Sequence, residues 1–375
     1  MKTTAIFLFF ACAATALFIG CASTKHSAVP QKTSVSGNAE EILRELTTEE
    51  KVAQLFVVTP DQLSGAVTTA VTKDFSAAVD NYHVGGFILF ARHINSPEQL
   101  RAFTTGLRQS TAIPPIIAVD EEGGRVARLA RSDHFFLPKF ADMGTVGATG
   151  DVENARGAGQ TIGGYLMTYG FTLDFAPVAD VNTNPENIVI GKRAFGSDPA
   201  TVSNMVGAFL SGLHSTGIKG CIKHFPGHGD TKGDTHADYV AVNKTWEELN
   251  DCELLPFKQN LAAADSVMIA HVTVSAVDEK YPASLSKTLI TDKLRGELGY
   301  DGIILTDALD MGAIEKNYGS GEASVLAFEA GNDILLMPAD FYAAYAAVLD
   351  AVQAGRISKE RLDESVLRIL QFKGF

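Results

Sequence analysis

Eight short, almost wholly apolar runs punctuate the chain: Leu55–Val58, Gly86–Phe90, Pro115–Val119, Leu173–Val178, Gly220–His224, Val267–His271, Gly302–Thr306 and Asp333–Met337. They lack the in–out alternation of half-exposed strands and fit parallel strands buried on both faces. Between them lie stretches with helical spacing, the clearest being Glu153–Tyr169, Ala200–Ser215, Trp246–Ala264, Lys287–Leu298, Gly321–Ala330 and Ala339–Ala354. Thr245 ahead of Glu248 predicts a capping box, Gly331 and Gly355 predict helix stops, and Ser358–Phe372 predicts a closing helix. Eight strand-then-helix units predict a single-domain α/β fold, a (β/α)8 TIM-type barrel over residues 38–375. A doubly wound open sheet is the alternative.

A barrel of this kind collects its chemistry at the C-terminal ends of the strands. Asp120 ends the third run, Lys223 and His224 the fifth, His271 the sixth and Asp307 the seventh, with Asp174 and Asp180 along and beyond the fourth. The fifth run opens into Lys223-His224-Phe225-Pro226-Gly227-His228-Gly229-Asp230-Thr231-Lys232-Gly233-Asp234-Thr235-His236, which holds three of the nine histidines. A solvated polar loop is the plain reading of such a stretch. Zinc ligation by His224, His228 and His236 with Asp230 or Asp234 is another, although no His-Glu-x-x-His or Cys-x-x-Cys pattern accompanies it.

The net charge of −13 offers no basic stripe for phosphates and argues against a nucleic-acid partner. Lys2, the apolar run Ala5–Ile19 and then Gly20-Cys21 read as an export signal over residues 1–20, with Leu17-Phe18-Ile19-Gly20-Cys21 similar to a bacterial lipobox. Cys21 is then the lipidated first residue of a membrane-anchored lipoprotein on the periplasmic or cell-surface side; an uncleaved single-span anchor is the competing reading. Residues up to 37 are small and polar, a tether. Cys221 is expected in a strand and Cys252 in a helix, which implies no disulfide framework and leaves their pairing open.

The Lys223–His236 run resembles the signature of glycoside hydrolase family 3, in its β-N-acetylglucosaminidase branch, where Lys-His-Phe-Pro-Gly-His-Gly precedes an Asp-x-His dyad. The resemblance extends over roughly Leu46–Leu370. It implies that Asp307, within Thr306-Asp307-Ala308-Leu309-Asp310-Met311, is the nucleophile of a retaining glycosidase. It further implies that His236, oriented by Asp234, is the acid/base, a role that imidazole suits because it titrates near neutrality. Asp120-Glu121-Glu122-Gly123-Gly124-Arg125-Val126-Ala127-Arg128 and Gly191-Lys192-Arg193-Ala194-Phe195 resemble the branch's sugar-binding stretches, which puts Asp120, Arg128, Arg193, Lys223 and His224 on the substrate. Glu122 and Arg125 are expected to buttress their loop, His228 and Asp230 to shape theirs, His271 to act from behind the pocket, and Asp310 to be a helix-face charge.

The expected protein is an exo-acting β-N-acetylhexosaminidase, monomeric and without metal or other cofactor. It would release N-acetylglucosamine from peptidoglycan fragments or chitooligosaccharides. A family 3 β-glucosidase, an N-acetylglucosaminide phosphorylase and a non-catalytic glycan-binding lipoprotein are the alternatives. No Gly-x-Ser-x-Gly elbow supports an esterase.

Overall fold

The computed structural model describes residues 37–232 and 240–375. The predicted export signal, Cys21 and the dyad Asp234 and His236 lie outside the described residues. Eight parallel strands form one sheet: β1 (Phe56–Val58), β2 (Gly86–Ile88), β3 (Ile116–Val119), β4 (Leu173–Asp174), β5 (Lys219–Phe225), β6 (Ser266–Ile269), β7 (Ile303–Thr306) and β8 (Leu335–Leu336). They follow in chain order from β1 to β7, and β8 pairs with β1. A parallel bridge between Leu305 and Ile334 joins β7 to β8 and closes the ring, so the fold is the barrel and not the open sheet.

Each strand coincides with a predicted apolar run, and nearly all their residues are buried, as strands covered on both faces require. The long outer helices begin as their sequences prescribe. Asp151 caps Val152–Thr168, and Asp198, with Pro199 in the first turn, caps Pro199–His214. These two helices pack backbone to backbone: a Cβ on Gly159 would stand 2.2 Å from the Phe209 carbonyl oxygen, and one on Gly212 would stand 2.1 Å from that of Arg156. Close approach there requires glycine.

The expected helix Trp246–Ala264 is two short ones, Trp246–Asp251 and Leu255–Asn260. Pro256 lacks the N–H to continue the first and sits instead in the opening turn of the second. The Thr245–Glu248 capping box is present at the start. Cys252 consequently lies at the break and not within a helix, and both it and the buried Cys221 are free thiols. Helices Lys73–Asn81 and Pro97–Gln109 connect the first three strands and were not among the clearest sequence signals. The segment Thr288–Glu297 is a π-helix, closed by Leu298 N–H on the Lys293 carbonyl at 2.8 Å. Among the described residues, no helix is long and apolar enough to cross a membrane.

Candidate active site

At the C-terminal mouth of the barrel a cavity of about 290 Å³ is lined by residues from most of the strand ends. Asp120 directly follows β3, Asp307 follows β7 and Met337 follows β8. On β5, the consecutive residues Lys223 and His224 both line the cavity, although an unbroken strand would send them to opposite faces. The β5–β6 register shifts between Lys223 and Phe225, and that irregularity re-aims the side chains.

The ionised groups form a continuous chain across the floor. Arg128 donates to Asp120 at 3.2 Å, Asp120 accepts from Lys223 at 2.9 Å, and Lys223 reaches Glu122 at 2.6 Å. Glu122 receives Arg193 through Nε at 2.8 Å and Nη2 at 2.7 Å, a two-point grip. The Arg193 Nη2 is 3.3 Å from His224 Nε2, and His224 Nδ1 is 2.7 Å from Asp180 Oδ2. Three cations thus alternate with three carboxylates. Burial pushes the Glu122 carboxyl up, but Arg193 and Lys223 reverse this and hold it well below the usual carboxylate range. Burial likewise opposes the charge on Lys223, and Asp120 with Glu122 overcomes it, raising the ammonium above its ordinary value.

Asp307 stands in the pocket outside this chain of ions. It is half-buried, accepts the Ala308 N–H at 2.8 Å, and makes no ion pair among the described residues. Desolvation pushes its carboxyl up, yet the His224 and His271 imidazoles, the Ala308 amide and Lys223 bring it below the ordinary value. It therefore stands ionised at neutral pH without being consumed by a partner. His271 approaches Ser284 Oγ at 2.7 Å and the Ala308 carbonyl at 2.8 Å, which fixes the peptide between Ala308 and Leu309.

The site thus brings together Asp120, Arg128, Arg193, Lys223, His224 and Asp307. Two sequence expectations need correction. Glu122 is not a loop buttress but the centre of the ion chain, because both its oxygens face cations across the pocket floor. Asp310 is not a helix-face charge: the helix begins after it, at Gly312, and Asp310 lines the cavity rim. Desolvation and the neighbouring Asp307 push its carboxyl up to about 6. Arg125 does buttress, donating from Nη2 to the carbonyls of Ile188, at 2.8 Å, and Val189.

Glu121 and Phe90 escaped the sequence reading, which placed Asp180 at its strand end without giving it a role. Asp180 holds His224 through its ring and also accepts the His228 N–H at 2.7 Å. Buried Glu121 accepts the backbone N–H groups of Arg128, Leu129 and Ala130 and the Tyr165 hydroxyl, tying down the loop that carries Arg128. Phe90 forms a wall under the Arg128 guanidinium, 5.2 Å from its ring centre. A carboxylate just beyond a barrel strand was the available signal for Asp180. Nothing in the sequence separates Glu121 from Glu122.

His228 lines the cavity, with Nδ1 2.8 Å from Thr231 Oγ1. Asp230 accepts the Thr183 hydroxyl at 3.0 Å and sits 3.4 Å from Lys244. Gly229 lets this loop lie against β4's continuation: a Cβ there would stand 1.9 Å from the Val181 carbonyl. For zinc, His224 is a poor first ligand, since one ring nitrogen faces Asp180 and the other faces the Arg193 guanidinium.

A closed parallel barrel with an ionised carboxylate at its mouth is shared by many chemistries; sequence comparison narrows it. The family model described as the glycosyl hydrolase family 3 N terminal domain matches residues 47–372. The chain belongs to glycosyl hydrolase family 3.

The family 3 barrel is 34% identical over 339 residues to β-hexosaminidase A of Pseudoalteromonas piscicida, covering 82% of this chain and 56% of that protein. The chain thus spans little more than half the length of that relative. It is 36% identical over 344 residues to the β-hexosaminidase LpqI of Mycobacterium tuberculosis H37Rv, covering 88% of this chain and 83% of the relative. Among solved structures, a family 3 β-N-acetylglucosaminidase from Paenibacillus sp. FPU-7 superposes with a TM-score of 0.82 at 40% identity, over 88% of this chain and 62% of that one.

Proposed function

We propose that the protein is an exo-acting, retaining β-N-acetylhexosaminidase that releases N-acetylglucosamine from peptidoglycan fragments or chitooligosaccharides. The observation that carries this reading is Asp307, kept ionised in a small pocket whose floor carboxylates, Asp120 and Glu122, are spent on cations. The names of the relatives supply the sugar.

In this reading a single sugar ring enters the cavity with its hydroxyls against Asp120, Arg128, Arg193, Lys223 and His224. Their mutual ion pairs fix the donors and acceptors in place before the sugar arrives, so little order is lost on binding. Asp307 attacks the anomeric carbon; the C–O bond to the leaving group breaks and a covalent glycosyl ester forms. His236, oriented by Asp234, protonates the departing oxygen, then takes a proton from the water that cleaves the ester. The second inversion restores the starting configuration. Export and anchoring through a lipid on Cys21 belong to the same proposal, as does a monomeric state.

Hydrolysis of an aryl N-acetyl-β-glucosaminide against the aryl β-glucoside tests the substrate. Strong preference for the N-acetyl sugar is expected; preference for glucose would transfer the site to β-glucosidase chemistry. Turnover with added phosphate, followed by identification of the released sugar, separates hydrolysis from phosphorolysis. Free N-acetylglucosamine is expected; release of its 1-phosphate would show that inorganic phosphate takes the place of water as the acceptor. Labelled-lipid incorporation into wild type but not into Cys21→Ser tests the anchor.

A further inference from the structure

Beside the active pocket, a histidine that the reaction described above does not use is buried between two strand-end loops. The turn Ala91–His93, just after β2, folds His93 back on the chain, and its side chain is 0% exposed. Nδ1 accepts the Phe90 N–H at 2.9 Å, so the ring proton sits on Nε2 and is donated to Asp61 Oδ1, 2.6 Å away. Asp61 belongs to the helix Pro60–Ser64 beyond β1 and also receives Arg92 at 3.1 Å. Gln62 of that helix donates to the Pro338 carbonyl, next to the cavity residue Met337. The ends of β8, β1 and β2 are thereby tied together.

What this arrangement holds is Phe90. It lines the cavity, and its ring carries two guanidinium groups, Arg92 at 4.9 Å and Arg128 at 5.2 Å from its centre. Arg128 depends on that ring: its Nη2 pairs with Asp120, but its Nε is buried with no hydrogen-bond partner among the described residues. A second proton on His93 would set Nδ1–H against the Phe90 N–H, donor facing donor, and the Phe90 peptide would have to move. The charged groups that act on the imidazole are Asp61 and, from its own turn, Arg92. The helix Pro97–Gln109 brings the neutral Gln99, which reaches the His93 carbonyl at 3.1 Å. Burial pushes the imidazole below its ordinary value, and Asp61 restores only part of this. His93 is therefore neutral at pH 7.

We propose that His93 is a positioning residue of the sugar pocket: through the Phe90 amide it fixes the wall on which Arg128 lies, and with it the affinity for the sugar. Its effect on the sugar rests on the glycosidase reading, whereas the link from Asp61 through His93 to Phe90 and Arg128 does not. His93 touches no substrate; it keeps an acceptor in front of the Phe90 N–H and so supports the residues that do. Protonation of His93 breaks the link, and sugar affinity falls as pH drops through its titration.

The test follows the Phe90 amide and Arg128 Nε–H signals by NMR from about pH 4 to 8, the range that brackets histidine titration. Calorimetric titration with N-acetylglucosamine, and KM and kcat for its aryl β-glycoside, cover the same range. In wild type both signals should move together with one midpoint below the ordinary 6.5, and Kd should rise with them. His93→Asn keeps an acceptor for the Phe90 N–H but cannot ionise. Its Kd at pH 7 should stay within about 2-fold of wild type and lack the acid rise. His93→Leu removes the acceptor and should raise Kd and KM about 10-fold at pH 7 with kcat changed less, the scale of one desolvated cation–ring contact. Asp61→Asn withdraws the charge that favours a second proton and should move the midpoint to lower pH. These two Asn variants decide the matter if His93→Leu does not fold. An acid rise that persists in His93→Asn would belong to Asp310, whose carboxyl is raised to about 6, and would overturn the proposal. So would equal losses in His93→Asn and His93→Leu, a midpoint that Asp61→Asn does not lower, or an Arg128 signal indifferent to His93. Signals that follow His93 in a wild type that neither binds nor hydrolyses the sugar would leave the link standing and remove the glycosidase reading instead.

Discussion

Two aspartates at opposite ends of the barrel show how differently the same side chain is employed. Asp333 stands just before β8 and is fully buried. Its oxygens receive Arg295, the Ile304 N–H at 3.0 Å and Ser365 Oγ at 2.5 Å, with Arg368 at 3.4 Å and Arg361 at 3.8 Å. Asp307, at the far end of β7, receives one backbone N–H and no ion pair among the described residues. A buried charge survives only when its lost hydration is replaced. At the closed end of the barrel direct partners replace it; at the open end, nearby imidazoles and a lysine supply enough field to keep Asp307 ionised while its outer oxygen stays available. In a barrel the first arrangement belongs to stability and the second to chemistry.

Exchanging the two roles by mutation gives the largest expected effects. Asp307→Ala should lower kcat by about 10⁴-fold or more, the scale seen when a nucleophile is removed, while leaving the melting temperature close to wild type. Asp333→Ala should do the reverse. It strands Arg295, Arg361 and Arg368, two of which burial already pushes toward the neutral form. The expected cost is about 3–5 kcal/mol of stability, with the kcat of the folded fraction within about twofold. Thermal melts and active-site-normalised kinetics on both variants decide the matter. Comparable loss of kcat in the two would erase the distinction.

Glu121 sharpens the comparison, because it is wired like Asp333 but sits beside the pocket. Burial raises its carboxyl despite three backbone amides and Tyr165. Glu121→Ala leaves those amides without an acceptor, so a loss of about 2–3 kcal/mol is expected. The same loop positions Arg128, so KM should rise several-fold while kcat changes less. A melt unchanged from wild type would show that water replaces the carboxylate. A kcat loss larger than the KM rise would place Glu121 nearer the chemistry than its hydrogen bonds do.

What could be read from the sequence follows the same division. All eight strands were visible because burial on both faces leaves runs such as Ile303–Thr306 wholly apolar. Their ends were less so: Leu173–Val178 shrinks to Leu173–Asp174, since Phe175 N–H still bonds the Val119 carbonyl and Val178 still bridges Lys223 but Pro177 between them has no N–H for the ladder, and hydrophobicity does not report that interruption. Pro97–Gln109 buries only Leu100, Phe103, Thr104 and Leu107, a stripe too thin to stand out, although Ser96-Pro97 marked its start. Within the site, Lys223, His224 and Asp307 followed from their places at strand ends. Whether Glu121 or Glu122 faces the pocket depends on the turn after β3, and only three-dimensional packing settles it.

The smallest expected effect concerns Asp310, a carboxyl at the exposed rim that is raised to about 6 by desolvation and by Asp307. In the unfolded chain it titrates near the ordinary aspartate value of 3.8. Between those values the folded protein keeps a proton that the unfolded chain releases, so stability from this group declines as pH rises through the window and is constant above it. Asp310→Asn cannot ionise and escapes that decline. The variant should therefore gain on wild type between about pH 4 and 6, by less than about 1 kcal/mol at so open a position. The effect on turnover runs through the neighbour. Without a second negative charge beside it, Asp307 ionises more readily, and any acid limb of kcat/KM that it governs moves to lower pH. Parallel melting curves of the two proteins from pH 4 to 7 would show that Asp310 does not titrate there. An acid limb displaced upward would show that its charge aids Asp307 and does not oppose it.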